Sequence, residues 1–117
     1  METKILLDCL SPYIAPHKHF DVAMSKYGPL YVYPVDRKGE SHEAEVLGGP
    51  KEIVETVVFQ MICDVMESAP KNRTRPTEGE LSSVRIRIRT LVLGSEFEDE
   101  VMSFADRYIK QYKNYEW

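Results

Sequence analysis

Thr77-Glu78-Gly79-Glu80-Leu81-Ser82-Ser83-Val84-Arg85-Ile86-Arg87-Ile88-Arg89-Thr90-Leu91-Val92-Leu93 can be read in two ways, and the choice settles the architecture. Val84 to Arg89 alternates strictly, the period of a half-buried strand, with three arginines on one side and Val84, Ile86 and Ile88 on the other. Thr77-x-x-Glu80 ahead of Leu81 is instead the pattern of a capping box, which opens a helix. On a helix Leu81, Val84, Ile88, Leu91 and Val92 share a face, and Ile86 and Leu93 point away from it. Gly94 then fits a helix stop. We expect a helix. A strand over 84–92 would instead complete a three-stranded antiparallel sheet.

Downstream, Ser95-x-x-Glu98 repeats the capping-box pattern, and Phe97, Val101, Phe104, Ala105, Tyr108, Ile109 and Tyr112 keep a helical period. Glu96 to Glu100 loads the start of this helix with negative charge, and Arg107, Lys110 and Lys113 load its end with positive charge, as the helix dipole favours. Upstream, Lys71 to Arg75 reads as a basic loop after Ser68-Ala69-Pro70. Before it, Pro50 opens a helix in which Ile53, Val54, Val57, Val58, Met61, Ile62, Val65 and Met66 form a stripe wide enough for a central, covered element.

The first half is less regular. Leu30 to Val35 is β-branched and aromatic, so it reads as a strand, with Pro34 at its end or on an edge. Asp36 to Glu40 is a turn with Gly39 for a left-handed step, and His42 to Leu47 alternates as the second strand of a β-hairpin. Phe20, Ala23, Met24 and Tyr27 fall at helical spacing, ended by Gly28-Pro29. Thr3 to Leu10 reads as a short helix that Ser11-Pro12 interrupts. The expected fold is α+β and mainly α-helical: about four helices packed with one β-hairpin (residues 30–47), forming a single globular domain over residues 1–117.

The charge is −4, which weighs against general nucleic-acid binding. The bases are segregated, however: Lys71, Arg73, Arg75, Arg85, Arg87 and Arg89 fall in one window, with acids before it (Glu40 to Glu67) and after it (Glu96 to Glu100). No run approaches the roughly 18 apolar residues of a membrane span. Ile5-Leu6-Leu7 is too short for a signal-peptide core, so a cytoplasmic protein beginning at Met1 is expected. Cys9 and Cys63 then read as buried free thiols.

His17-x-His19, with His42 and Cys9 elsewhere, is the one set with metal-ligating chemistry, but a zinc site needs three or four converging ligands. On a helix, neighbours two apart point about 200° away from each other, so we expect no metal and no cofactor. Gly48-Gly49-Pro50-Lys51 lacks the spacing of a phosphate loop, there is no nucleophile elbow, and Asp64 and Glu67 read as solvent-facing. No catalytic residue is assigned. Two surfaces remain. Tyr108, Tyr112, Tyr115 and Trp117 carry the amphipathic rings enriched at protein interfaces, unless they pack against the hairpin. The six bases of residues 71–89 suit phosphates or an acidic partner, unless they pair internally with Glu43, Glu45 and Glu96 to Glu100. The expected function is a small non-enzymatic interaction or regulatory module that binds another protein or itself. The alternatives are a nucleic-acid-binding module using the basic set, and an inhibitor whose acidic surface fills a basic groove of a larger complex.

Overall fold

Thr77 and Glu80 do close a capping box. The Thr77 hydroxyl accepts the Glu80 N–H at 3.2 Å, and the Glu80 carboxylate accepts the Thr77 N–H at 2.8 Å. The arginine segment is therefore helical, and Leu81, Val84, Ile88 and Val92 form its buried face. The computed structural model describes residues 2–26 and 30–117. Its elements in chain order are α1 (Thr3–Ile14), β1 (Phe20–Met24), β2 (Leu30–Pro34), β3 (Glu45–Leu47), α2 (Pro50–Glu67), α3 (Glu78–Val92) and α4 (Glu98–Tyr112). This is an α+β fold, mainly helical, with one antiparallel sheet in the order β1-β2-β3. No described helix is long and apolar enough to cross a membrane.

The chain divides into two compact units, Met1–Ile53 and Val54–Trp117. In the first, α1 packs on β1. It continues past Pro12, which the sequence reading took as a break. Pro12 has no N–H for the Asp8 carbonyl, and the Ser11 hydroxyl donates to that carbonyl instead, at 2.9 Å. The proline is thus accommodated one turn from the helix end.

The third strand is Phe20–Met24, which corrects the helix expected there; Tyr27 and Gly28-Pro29 lie outside the described residues. β1 pairs with β2 in the register Val22↔Val32, so Phe20 and Val22 are buried with Leu30 and Val32 on the inner face. The spacing of Phe20, Ala23 and Met24 fits a helix locally, but Phe20 and Val22 also fit a strand. The β2 backbone supplies the partner that decides between them.

The expected hairpin forms, but its second strand is shorter than 42–47. β3 pairs as Leu30↔Leu47, Tyr31↔Val46 and Val32↔Glu45, and Val35 bridges Ser41. Residues 42–44 thus face only residues 33–34, a bulge. The turn is held by Asp36, whose carboxylate accepts the N–H groups of Lys38 at 2.9 Å and Glu40 at 3.0 Å, and by Gly39 at φ +88°.

α2 keeps every residue from 50 to 66 at least half-buried, as its wide apolar stripe requires. In the second unit, α3 and α4 pack as a helical hairpin whose turn uses Gly94 at φ +80°. The second capping box is not formed. The Ser95 hydroxyl donates back to the Val92 carbonyl at 2.7 Å, and α4 begins only after Phe97, with no side-chain cap. Ser95 is used to finish α3 and so cannot start α4.

Thr77→Ala removes the oxygen that accepts the Glu80 N–H. We expect a loss of about 1 kcal/mol, read as a lower urea midpoint with an unchanged slope. An unmoved midpoint would mean the box adds nothing to stability.

Candidate interaction surfaces

The basic set is distributed by the helix and not aligned in a row. Successive residues on α3 are about 100° apart, so Arg85 and Arg89 project towards α4 while Arg87 projects from another side. The Arg85 guanidinium donates to both carboxylate oxygens of Asp106, at 2.7 and 3.3 Å. Arg89 lies 3.7 Å from Glu98. In the preceding loop Arg73 forks onto both oxygens of Glu80, and Arg75 lies 3.8 Å from Glu116. Lys71 is exposed. The expected partners Glu43 and Glu45 belong to a strand, and with residues 84–92 helical the cross-strand pairing envisaged for them does not exist. Of the acidic cluster that follows α3, Glu98 takes Arg89. A groove of about 340 Å³ between α3 and α4 is rimmed by the Arg85–Asp106 pair and by Lys113, which lies 2.6 Å from Glu78.

The C-terminal aromatic residues are brought together, with Phe59 of α2 as an added member that the sequence reading missed. The Phe59 ring centroid lies 5.6 Å from that of Tyr112 and 4.9 Å from that of Trp117, and Tyr115 lies 4.9 Å from Trp117. The Tyr112 hydroxyl donates to Glu55 at 3.1 Å. Burial, then the nearby Glu55 carboxylate, pushes the Tyr112 phenol up to about 12. The backbone N–H of Trp117 donates to the Thr74 carbonyl at 2.8 Å, which ties the last residue to the basic loop. Tyr108 is buried in α4, and Tyr115 is the exposed member. The rings therefore cover α2 and one another. Phe59 was legible only as one more apolar residue of α2, because nothing local says which helix face the end of the chain will meet.

The histidines serve the first unit's turns. His19 donates its backbone N–H to Nδ1 of His17 at 3.0 Å, and its own Nδ1 lies 3.0 Å from the Asp36 carbonyl. Nε2 of His42 lies 2.9 Å from the Asp36 carboxylate. The Glu40 N–H, followed by His42, holds the Asp36 carboxyl below its usual range. Among the described residues no three His, Cys, Asp or Glu side chains gather where they could hold a metal ion. Cys9 and Cys63 form no disulfide and are half-buried, not fully enclosed as expected from the sequence, and Asp64 is half-buried as well.

The surface the sequence reading passed over is the outer face of the sheet. Asp21, Ala23, Tyr31, Tyr33 and Val46 point away from the buried face, and the two tyrosine rings lie 6.2 Å apart. Val46 is 66% exposed and Tyr33 45%. An open face of an antiparallel sheet is ordinarily polar; this one is chiefly aromatic and aliphatic. Its signal was present in Tyr31-x-Tyr33, but which face of the strand is buried depends on α1 and on the pairing register.

Three predictions follow from these contacts. The Glu80 carboxyl sits at about 2 instead of 4.5, chiefly because Arg73 bonds it and then because the Thr77 N–H does. A carboxyl depressed on folding stabilises the fold above pH 4.5 and loses that contribution as the pH falls from 4.5 towards 2. Glu80→Gln keeps the reach to Thr77 but not the charge. Wild type is therefore expected to melt above the variant at neutral pH, with the gap closing across that window; a gap constant with pH would overturn the assignment. Trp117→Ala is expected to cost about 2 kcal/mol, since the half-buried ring loses less than a core one, and Tyr112→Phe about 1 kcal/mol for its hydrogen bond. Thermal melts check both, and an unchanged melt for Trp117→Ala would show that the cluster is not holding the end of the chain.

Compared with known proteins, the chain matches no family model, no curated protein and no solved structure.

Proposed function

We propose that this protein acts by binding, as a small non-enzymatic interaction module of the cytoplasm, and that it recognises a protein through the outer face of its sheet. The observation that carries the reading is the exposure of Tyr33 and Val46 beside Tyr31 on a face where solvent-compatible side chains are the rule. Tyrosine suits such a surface, because its ring supplies contact area and its hydroxyl stays hydrated when unbound. The C-terminal rings of Tyr108, Tyr112 and Trp117 are engaged within their own unit, which leaves Tyr115 as their share of any partner surface.

A nucleic-acid role for Lys71, Arg73, Arg75, Arg85, Arg87 and Arg89 has weaker support. Arg73, Arg75, Arg85 and Arg89 each face a carboxylate of the same unit, and a phosphate would have to displace it.

The test compares tagged wild type with a Tyr33→Ser, Val46→Thr double variant in pull-downs from lysate of the protein's source, with and without nuclease, read by mass spectrometry. A stoichiometric protein that survives nuclease and is lost from the variant is the expected result. Stability is expected to move by less than about 1 kcal/mol, since both side chains are largely exposed. Partners that vanish with nuclease, or that the variant retains, would overturn the reading.

A further inference from the structure

Among the described residues the sheet ends at β1, and the pairing register fixes what that end presents. Val35 donates its N–H to the His19 carbonyl at 2.8 Å, so His19 and Val35 form a hydrogen-bonded pair of the antiparallel ladder. Bonded and non-bonded pairs alternate, so Asp21↔Tyr33 and Ala23↔Tyr31 are the next bonded pairs. Pro34, opposite Phe20, agrees with this phase: it has no N–H to give, and its carbonyl accepts the His42 N–H at 2.9 Å on the side away from β1. The backbone groups of Phe20, Val22 and Met24 therefore point away from β2, to the free edge. There the Asp21 carboxylate curls round and accepts the Val22 N–H at 2.8 Å.

Edge strands are commonly blunted by proline, lysine or a bulge. Phe20–Met24 contains neither residue and is paired without interruption. Its guard is the Asp21 carboxylate, an exposed group that a competing acceptor can displace. Beside this edge runs a groove of about 180 Å³ between α1 and β1. Leu7, Ser11 and Ile14, on one face of α1, form one wall, and Asp21 and Val22 form the other. An apolar cavity of about 150 Å³ admits benzene, so the groove takes one side chain of medium size. Its lining carries two carboxylates, Asp8 and Asp21, and no base.

We propose that the β1 edge is a second binding site, separate from the outer face, and that it takes an extended segment of a partner protein as a fourth strand. The segment carries an aliphatic residue followed by lysine or arginine. Placed antiparallel, like the rest of the sheet, and about 4.8 Å from β1, it exchanges hydrogen bonds with Phe20, Val22 and Met24 in place of the Asp21 carboxylate. The aliphatic residue lies opposite Val22 and projects from the inner face into the groove, towards Leu7 and Ile14. The next residue lies opposite Asp21, where a basic side chain pairs with the carboxylate released from the Val22 N–H. That charge selects the occupant. A second copy adding its own β1 about Val22 would place Ala23 opposite Asp21, and would bring another carboxylate and no base.

The probe is the peptide acetyl-Thr-Thr-Leu-Lys-Val-Thr-amide, titrated into isotope-labelled protein and followed by backbone amide NMR shifts. The amides of Leu7, Ala15 and Val22 are expected to shift and saturate. Methylating the leucine nitrogen of the peptide removes its donor to the Val22 carbonyl and is expected to weaken binding at least about tenfold. Glutamate in place of the peptide lysine is expected to weaken it about fivefold. Asp21→Lys is expected to reverse that preference, so that the glutamate peptide binds the variant better. Ala15→Phe, at an exposed position beside the groove, is expected to fill it and weaken binding. Circular dichroism confirms that both variants fold. No binding, equal binding of the methylated peptide, or a lysine preference that survives Asp21→Lys overturns the proposal. Shifts confined to Tyr31, Tyr33 and Val46 also overturn it, and place the peptide on the outer face. Val22 shifts that grow with protein concentration alone identify a second copy as the occupant and overturn the partner segment. The pull-down with the Tyr33→Ser, Val46→Thr variant decides the outer face by itself, so the two readings fail separately.

Discussion

One carboxylate organises much of the second unit. Glu80 accepts the Thr77 N–H and both arms of the Arg73 guanidinium, so the same group starts α3 and fixes the basic loop before it. That loop in turn supplies the Thr74 carbonyl to which Trp117 is tied. The start of α3 sets its phase, which buries Leu81, Val84, Ile88 and Val92 and turns Arg85 and Arg89 towards α4. Charge-assisted bonds of this kind are stronger than neutral ones, and here two functions share one acceptor. The aromatic cluster, the ion pairs and the helical hairpin all follow from where α3 begins.

In the first unit the corresponding constraint is the pairing of β1 with β2. A sheet needs its inner face covered, and α1 covers β1 with Phe20 and Val22 beneath it. The outer face keeps what the alternation leaves there, which is Ala23, Tyr31, Tyr33 and Val46. A three-residue β3 and the bulge opposite residues 33–34 limit how far the edge can recruit another strand. The side chains of the outer face, and not the β3 edge, are thus the better surface for recognition.

Much of the helical half was legible because its signals are local. The Thr77–Glu80 box, the wide stripe of α2 and the period of Phe97 to Tyr112 each involve residues within a turn or two of one another. Two patterns misled. Phe20, Ala23 and Met24 fit a helix as well as a strand, and the backbone of Leu30–Pro34 broke the tie. Ser95-x-x-Glu98 matched a cap by spacing, but the Ser95 hydroxyl was already committed to the Val92 carbonyl. The candidate surfaces were less legible than the fold. Arg73, Arg75, Arg85 and Arg89 looked like a phosphate-binding set because their carboxylate partners, Glu80, Glu116, Asp106 and Glu98, are recognisable only once the helices are placed.

The sequence by itself determined the fold class, the positions of α2, α3 and α4, the turn at Asp36–Gly39 and the stop at Gly94. Each of these rests on hydrogen bonds, φ preferences or apolar spacing within a few residues. Tertiary structure alone decided that Phe20–Met24 is a strand and that Phe59 receives the rings of Tyr112 and Trp117. It also decided that Tyr33 and Val46 on the sheet, Ile86 on α3 and Leu93 just past its end are left uncovered. Burial is a property of what lies opposite a side chain, and what lies opposite is chosen by pairing and packing between residues far apart in the chain.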